Sequence, residues 1–395
     1  MEMRFQELPV SARRYILYHA LVSPVLITWY LLPYYLLLTG YSVLEVGALF
    51  TAVNVLSVPL TLWLGKKFQS IDIRKGLATI DVLESMSNVA YGFAYGPIAP
   101  LMIVLGGLIE KASGTLYFLY PAYERIIYPE DRMKEALSIH LRIPELTIIL
   151  TYPVIGFMLG YVWSSPASIR YSFLMFAAYQ FALVPYILWF FRPVKISREE
   201  EDSPNTSKPS LGRLPRKYLA YIIADVLFIL AWLLAPNLAL VYYVLKWLHG
   251  NIFHVALIEA SISTATIIGT FIVDRLARDK PGRYLAAGTL ITVAGLGMAV
   301  ATSIFPIILL AFFIVRLGDS IVFVYKRLWL YSIMSRGEAS IASALISSIR
   351  RTISLFSPGL ASLLSTLNPR APYIACLTLL LVTIPVYLSF LAKKK

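Results

Sequence analysis

The chain of 395 residues has little charge and almost no cysteine. Only 14% of its residues are charged and 58% are hydrophobic, whereas about a quarter of the residues in a soluble domain are charged. This composition excludes an ordinary soluble protein and predicts one that lies in a lipid bilayer. Cys376 is the single cysteine, so the sequence also excludes an intrachain disulfide and a cysteine-based metal site.

Motifs for catalysis and cofactor binding are also absent from the sequence. It contains no glycine-rich dinucleotide fingerprint, no Walker loop, no Gly-x-Ser-x-Gly and no His-Glu-x-x-His. The four histidines, at His19, His140, His249 and His254, are scattered along the chain. We therefore expect no enzyme activity, no cofactor, no metal site and no direct use of ATP. His19 is the one histidine that we keep as a candidate titrating residue.

Basic residues give the chain a net charge of +13, but they gather in alternate loops. This bias is typical of the cytoplasmic loops of a multi-pass membrane protein, and no nucleic-acid-binding motif accompanies it. We expect no nucleic-acid partner and place both termini in the cytoplasm. The opposite loops contain only Arg170, Lys246 and Arg370. The basic set contains Lys66, Lys67, Arg74, Lys75, Arg125, Arg132, Lys134, Arg275, Arg278, Lys280, Arg283, Lys326, Arg327 and Arg336.

Long apolar runs recur along the whole chain, and a helix needs about 20 such residues to cross a bilayer. We predict an all-α polytopic membrane protein with two six-helix bundles, 1–191 and 217–395, joined by a polar cytoplasmic linker at 192–216. The twelve predicted spans are 15–38, 43–64, 75–95, 98–122, 139–163, 168–191, 217–246, 253–273, 283–302, 304–327, 339–365 and 371–391.

The two halves repeat one another, which predicts a pseudo-symmetric pair of bundles. Residues Arg13, Tyr15, Tyr18, Trp29 and Pro33 recur 203 positions later as Arg216, Tyr218, Tyr221, Trp232 and Pro236. Each half also has a tyrosine pair near the outer end of its first span, at Tyr34-Tyr35 and Tyr242-Tyr243. We predict that these pairs belong to an interfacial aromatic belt.

A cytoplasmic loop in each half resembles a family motif, Gly-x-x-x-Asp-Arg-x-Gly-Arg-Arg. In the second half the sequence reads Asp274-Arg275 and then Ala277-Arg278, and the first half keeps Gly65 at the matching place. With twelve helices, two similar halves and a central linker, the chain resembles the major facilitator superfamily over nearly its whole length. The resemblance implies a transporter that alternates between inward-open and outward-open states.

The resemblance also implies a gate. In this loop an acid at a helix end meets arginines and holds the cytoplasmic side shut, which gives Asp274, Arg275 and Arg278 gating roles. Arg350 precedes Pro358 by eight residues, and Glu145 stands at the matching place before Pro153. This pattern loosely resembles the antiporter motif of the drug/proton exporters in the family, so we add Arg350 and Glu145 to the gate.

Charged residues at membrane depth are costly and usually face a cavity or a partner. Lys111 lies beside Glu110, and Arg316 lies three residues before Asp319. In the resembled family their helices, the fourth and tenth, line the central cavity. The resemblance therefore implies that these four residues contact an anionic substrate, while simple structural pairs within each set are the alternative.

Two further carboxylates, Asp225 in the seventh span and Glu259 in the eighth, are candidates for proton coupling. Removing a carboxylate from water favours its protonated form, which a coupling site requires. Position 22, the repeat counterpart of Asp225, is a valine, so no symmetric structural role explains the acid. For Asp81 and Glu84 in the third span we expect a structural or gating role, with pairing to cytoplasmic bases.

We predict a secondary active transporter that exports small amphipathic or anionic molecules by proton coupling. The alternatives are an organic-anion importer or uniporter on the same fold and, from another class, a non-transporting receptor or scaffold. The expected partners are the lipid bilayer, a small-molecule substrate and protons. We further expect a monomer in the plasma membrane of a prokaryotic cell.

Overall fold

The computed structural model describes residues 5–67, 72–194, 216–276, 281–333 and 339–391. Almost all of these residues are helical, which confirms the predicted all-α class. Backbone contacts divide the chain into two compact units, Met1–Ser203 and Pro204–Lys395.

The first unit contains eight α-helices that make up six predicted spans. Pro24 has no N–H to donate and therefore ends the first helix, so a 3₁₀ segment, Ser23–Ile27, links the two parts of the first span. A π-helical segment, Met158–Val162, extends the fifth span. The helices are α1 (Val10–Val22), α2 (Thr28–Leu38), α3 (Val43–Lys67), α4 (Ile73–Gly92), α5 (Ala99–Gly114), α6 (Leu119–Ile127), α7 (Met133–Phe157) and α8 (Pro166–Phe190).

The second unit contains seven α-helices, of which the first two form one bent span. The bend of 42° lies at a short break, and Pro236 caps the helix that follows it. The helices are α9 (Arg216–Leu233), α10 (Asn237–Lys246), α11 (Ile252–Arg275), α12 (Pro281–Ala301), α13 (Phe305–Ile333), α14 (Ala339–Leu367) and α15 (Ala371–Leu391).

Most of the predicted spans are apolar enough to cross a membrane. Among the described residues nine helices meet this requirement by length and composition, and the bent pair α9–α10 gives a tenth. The two remaining predicted spans are α4 and α14, which are 20 and 29 residues long but carry charged residues. The helices are therefore consistent with twelve spans, and the two polar ones contain Asp81 and Glu84 in α4 and Arg350 and Arg351 in α14.

One tyrosine in each half ties the first span to the third span of the same unit. The Tyr35 hydroxyl donates to the Ala94 carbonyl oxygen at 2.6 Å, and the Tyr243 hydroxyl donates to the Ala299 carbonyl oxygen at 2.7 Å. Both tyrosines are buried, so their predicted place in an interfacial belt is wrong. Each half instead uses an internal hydrogen bond of this kind, which satisfies a phenol that burial removes from water.

Small residues allow α12 and α13 to pack closely in the second unit. A Cβ atom on Gly318 would lie 2.5 Å from the Gly288 carbonyl oxygen and 2.5 Å from the Thr292 hydroxyl. Because lipid does not drive helices together as water does, such close backbone approach contributes much of their association. The α12–α13 contact therefore requires glycine at position 318.

We predict that Gly318→Ala destabilises the second unit. Overpacking of a tight contact costs about 1–3 kcal/mol, so the thermal unfolding midpoint of the purified protein should fall clearly. Gly297→Ala in α12 is the matched control, because its Cβ would meet only Leu377 at an ordinary 3.8 Å. Equal midpoints for the two variants would show that the α12–α13 contact tolerates a side chain at position 318.

Candidate functional site

Asp225 in α9 is a buried carboxylate held between two cations. Its side chain is 1% exposed. Arg350 of α14 donates to both of its oxygens, from Nε to Oδ2 at 2.8 Å and from Nη2 to Oδ1 at 2.7 Å. The Lys326 ammonium of α13 lies 3.1 Å from Oδ1. The two-pronged guanidinium contact is the geometry in which arginine binds carboxylates most strongly.

Lys326 was not predicted to belong to this site. The sequence pattern assigned it to a cytoplasmic loop, but α13 continues to Ile333 and the Lys326 side chain is only 8% exposed. Its ammonium group also lies 4.0 Å from the centroid of the Phe228 ring, where the negative face of the ring attracts it. The spacing in the sequence could have indicated that Lys326 belongs to the site, because Asp319 and Lys326 are two helical turns apart and share a face of α13.

Arg316 and Asp319 form an ion pair within α13. The Arg316 Nη1 atom lies 3.1 Å from Asp319 Oδ2, and Arg316 Nε donates to the Thr266 hydroxyl of α11 at 2.8 Å. This is the structural pairing that the sequence left open as an alternative to substrate contact. The Arg316 side chain nevertheless remains 38% exposed, so the pair does not enclose it.

Taken together, these five side chains carry more positive than negative charge. Three cations, Arg316, Lys326 and Arg350, accompany two carboxylates, and Lys326 interacts electrostatically with both of the acids. The Arg350 side chain is 39% exposed, whereas the carboxylate that it binds is almost fully buried. The reachable groups of the cluster are therefore guanidinium groups, which suit carboxylate, phosphate or sulfonate groups of a ligand.

The predicted substrate residues of the first unit do not pair with each other. Glu110 of α5 accepts a hydrogen bond from the Tyr91 hydroxyl at 2.9 Å, while the neighbouring Lys111 is exposed. Lys111 and Arg316 belong to different units. Glu259, the second candidate for proton coupling, is half-buried in α11.

Asp81 and Glu84 of α4 bind neutral donors rather than the predicted cytoplasmic bases. Asp81 Oδ1 accepts from the Tyr18 hydroxyl at 2.7 Å. Glu84 Oε1 accepts from the Tyr117 hydroxyl at 2.6 Å, and Glu84 Oε2 accepts from Gln180 Nε2 at 2.7 Å. The predicted pairing with bases is wrong because α1, α8 and the turn after α5 place hydroxyl and amide groups against this face of α4.

Two histidines that are far apart in sequence lie side by side in the first unit. The ring centroids of His19 and His140 are 4.7 Å apart, and His140 Nδ1 lies 3.4 Å from Glu124 Oε1. The same Glu124 oxygen accepts from the Tyr15 hydroxyl at 3.1 Å. Among the described residues, no group of three or more acidic, histidine or cysteine side chains has the arrangement of a metal site.

The predicted gating residues lie at three places. Arg275 is exposed at the end of α11, and Glu145 is half-buried in α7. Arg278 and the side chain of Asp274 lie outside the described residues. Arg350 belongs to the charged cluster around Asp225, so one residue of the predicted gate is also the main partner of a predicted coupling residue.

The family of the chain follows from its sequence as a whole. The model of the Major Facilitator Superfamily matches residues 15–358, and the chain belongs to this family. It is therefore a multi-pass membrane protein with the fold of a transporter, and the predictions of transport and of no enzyme activity are confirmed. No curated protein sequence matches the chain significantly.

Solved transporters share this fold along almost the entire chain. A bacterial homologue of the iron transporter ferroportin is 13% identical, with a TM-score of 0.71 and coverage of 97% of this chain and 98% of that one. A D-xylose-proton symporter is 16% identical, with a TM-score of 0.70 and coverage of 95% and 97%. The human organic anion transporter MFSD10 is 13% identical, with a TM-score of 0.59 and coverage of 96% of each chain. At these identities the likeness concerns the fold alone.

We predict that Asp225→Asn strongly destabilises the second unit. The change leaves Lys326 buried without its counter-ion, and removal of one partner from a buried pair costs about 3–5 kcal/mol. The double variant Asp225→Asn with Lys326→Met removes both charges and should recover part of the lost unfolding midpoint. A double variant no more stable than the single one would mean that Lys326 does not depend on Asp225 for its charge balance.

Proposed function

We propose that the chain is a secondary active transporter that works by alternating access and moves small anionic or amphipathic molecules in a proton-coupled step. Asp225 is the proposed coupling residue, and Glu259 is the second candidate. The observation that carries the proposal is the cluster in which Asp225 is buried between Arg350 and Lys326. The cluster has more cations than carboxylates, which favours an anionic ligand. Asp225 is the carboxylate that Arg350 and Lys326 share, and a carboxylate in that position supports proton coupling.

The proposed substrate group is an oxyanion that competes with Asp225 for Arg350. The guanidinium is more exposed than its carboxylate partner, so a ligand reaches the cation before it reaches the acid. A carboxylate or phosphate can accept the same two parallel N–H bonds that Asp225 accepts. Arg316 and Lys111 are the proposed further cationic contacts, with Asp319 and Glu110 beside them.

The proposed coupling follows from what happens to Asp225 when Arg350 turns to a substrate. A buried carboxylate that loses a strong partner is costly, and a proton removes that cost. Anion binding and protonation of Asp225 then favour each other, since binding linkage is reciprocal. The proposed gate consists of Asp274, Arg275, Arg278 and Glu145. Arg350 is proposed to belong to this gate and also to bind the substrate.

The direction of transport has two candidates. Export driven by protons is the direction that the antiporter-like pattern around Arg350 favours. Uptake of an organic anion together with a proton is the second candidate, and the mutual support between anion binding and Asp225 protonation favours it. Proteoliposomes distinguish the two, because inward and outward proton gradients have opposite effects on substrate accumulation in the two cases.

We predict that Arg350→Gln reduces anion flux in proteoliposomes about tenfold or more. A hydrogen bond to a charged group contributes about 1.5–3 kcal/mol, and 1.4 kcal/mol corresponds to a factor of ten. Arg350→Lys keeps the charge without the two-pronged geometry and should retain part of the flux. Arg351→Gln, an exposed arginine at the next position of α14, is the matched control.

The substrate screen for this measurement contains small aromatic and aliphatic carboxylates, phosphate esters, organic cations and neutral sugars. Preference for a cation or a neutral sugar would contradict the proposed anionic substrate.

We predict that flux through the wild-type protein changes with an imposed pH gradient and that flux through Asp225→Asn does not. Flux per folded protein that responds equally in both would contradict the role of Asp225.

A further inference from the structure

We propose that the first unit contains a second proton-binding site, at Asp81 in α4, and that the proton resides on Oδ2. This site is distinct from Asp225 and does not require the transport function proposed above. It joins three helices of the first unit through Tyr18 of α1 and Gln180 of α8, so its protonation is linked to how these helices pack.

The first support is the distribution of hydrogen-bond donors over Asp81 and Glu84. Both Glu84 oxygens accept short bonds from Tyr117 and Gln180. Asp81 Oδ1 accepts from Tyr18 at 2.7 Å and faces Gln180 Nε2 at 3.5 Å. Asp81 Oδ2 is buried and has no hydrogen-bond partner among the residues that the structure describes. One bare carboxylate oxygen in a residue that is 1% exposed is expensive unless a proton neutralises it.

A second buried group at the same place also lacks a partner. Gln180 is 0% exposed, and its Nε2 atom reaches both carboxylates. Its Oε1 atom accepts no hydrogen bond from the described part of the chain. A protonated Asp81 has an O–H donor to offer, and Gln180 carries an acceptor that needs one. A proton on Asp81 Oδ2 would satisfy that oxygen and add an O–H donor to a region where Gln180 has an unused acceptor.

The charged groups that face the site from the described residues are all acidic. Every hydrogen bond that Asp81 and Glu84 accept within the described residues comes from a neutral group. Two nearby carboxylates cannot both ionise cheaply without a cation, and a third acid lies close by. The titratable and polar groups that face the pair are Tyr18 from α1, Glu110 and Ser113 from α5, Tyr117 from the turn after α5, Tyr120 from α6 and Gln180 from α8.

The geometry favours a proton over a metal cation. Calcium takes about 6–8 oxygen ligands, and magnesium about six, whereas here three of the four carboxylate oxygens already face O–H or N–H donors. Those hydrogens would point at a cation and repel it. A proton needs one free oxygen, and Asp81 Oδ2 is that oxygen. Glu84 is better suited to stay ionised, because donors on both of its oxygens stabilise the charge.

The test is infrared spectroscopy of the purified full-length protein, which detects protonated carboxylic acids by their C=O stretch. Near neutral pH the wild-type spectrum should contain such a band, sensitive to exchange into heavy water, that Asp81→Asn removes and Glu84→Gln retains. Proton release on a jump to alkaline pH should also fall by about one proton per molecule in Asp81→Asn. Glu84→Gln is the matched control, since it changes an acid one turn away on the same helix.

Tyr18→Phe is a second variant that tests the assignment even if Asp81→Asn does not fold. It removes the donor to Oδ1 and leaves Oδ2 untouched, so the carboxylic-acid band should shift in frequency and persist. A band that survives Asp81→Asn and disappears in Glu84→Gln would overturn the assignment to Asp81. Absence of any such band in the wild-type protein would overturn the site altogether.

The spectroscopic result is independent of substrate and of flux. A pH-independent flux together with the Asp81 band would contradict proton coupling at Asp225 and leave this site standing. A spectrum without the Asp81 band, together with a pH-dependent flux, would contradict the Asp81 site and leave proton coupling at Asp225 standing. The two proposals can therefore fail separately.

Discussion

The cost of burying charge away from water governs where the polar residues of this transporter lie. In a bilayer an ionised side chain must find a counter-ion, a hydrogen-bond donor or a proton. Asp225 finds two cations, through contacts of 2.7–3.1 Å with Arg350 and Lys326. Of the two described spans that are too polar to count as apolar membrane helices, α4 contains the buried Asp81 and α14 contributes the Arg350 that binds Asp225.

The two halves meet this constraint in different ways although they share a repeat. In the second unit the cluster around Asp225 pairs two acids with three cations and so keeps one cation in surplus. In the first unit the acids of α4 meet phenol, hydroxyl and amide groups, which bind a carboxylate without neutralising it. Tyr18 and Tyr221 are repeat partners, yet Asp225 is matched by Val22 and Asp81 lies on the third span. The surroundings of the buried acids therefore differ between the halves even where the helical framework is the same.

Much of the helical framework could be predicted from the order of apolar residues. The last span was predicted at 371–391 and is found at Ala371–Leu391, because its apolar run has clear ends. The partners of the polar side chains were predicted less well. Lys326 was expected in a loop and is buried, and Asp81 was expected to meet bases and meets Tyr18. Tyr35 was expected at the interface and instead bonds to a carbonyl oxygen inside its unit.

By itself the sequence determined that the chain is helical, spans the membrane, repeats itself and resembles a transporter family, because these properties depend on composition and local spacing. Only the tertiary structure decided which charges meet. Asp225 and Arg350 are 125 positions apart, and Asp81 and Gln180 are 99 apart. No local pattern encodes such pairs, since each depends on the rotation and packing of whole helices. The partner of each buried acid, and hence its chemistry, is therefore a property of the packed bundle.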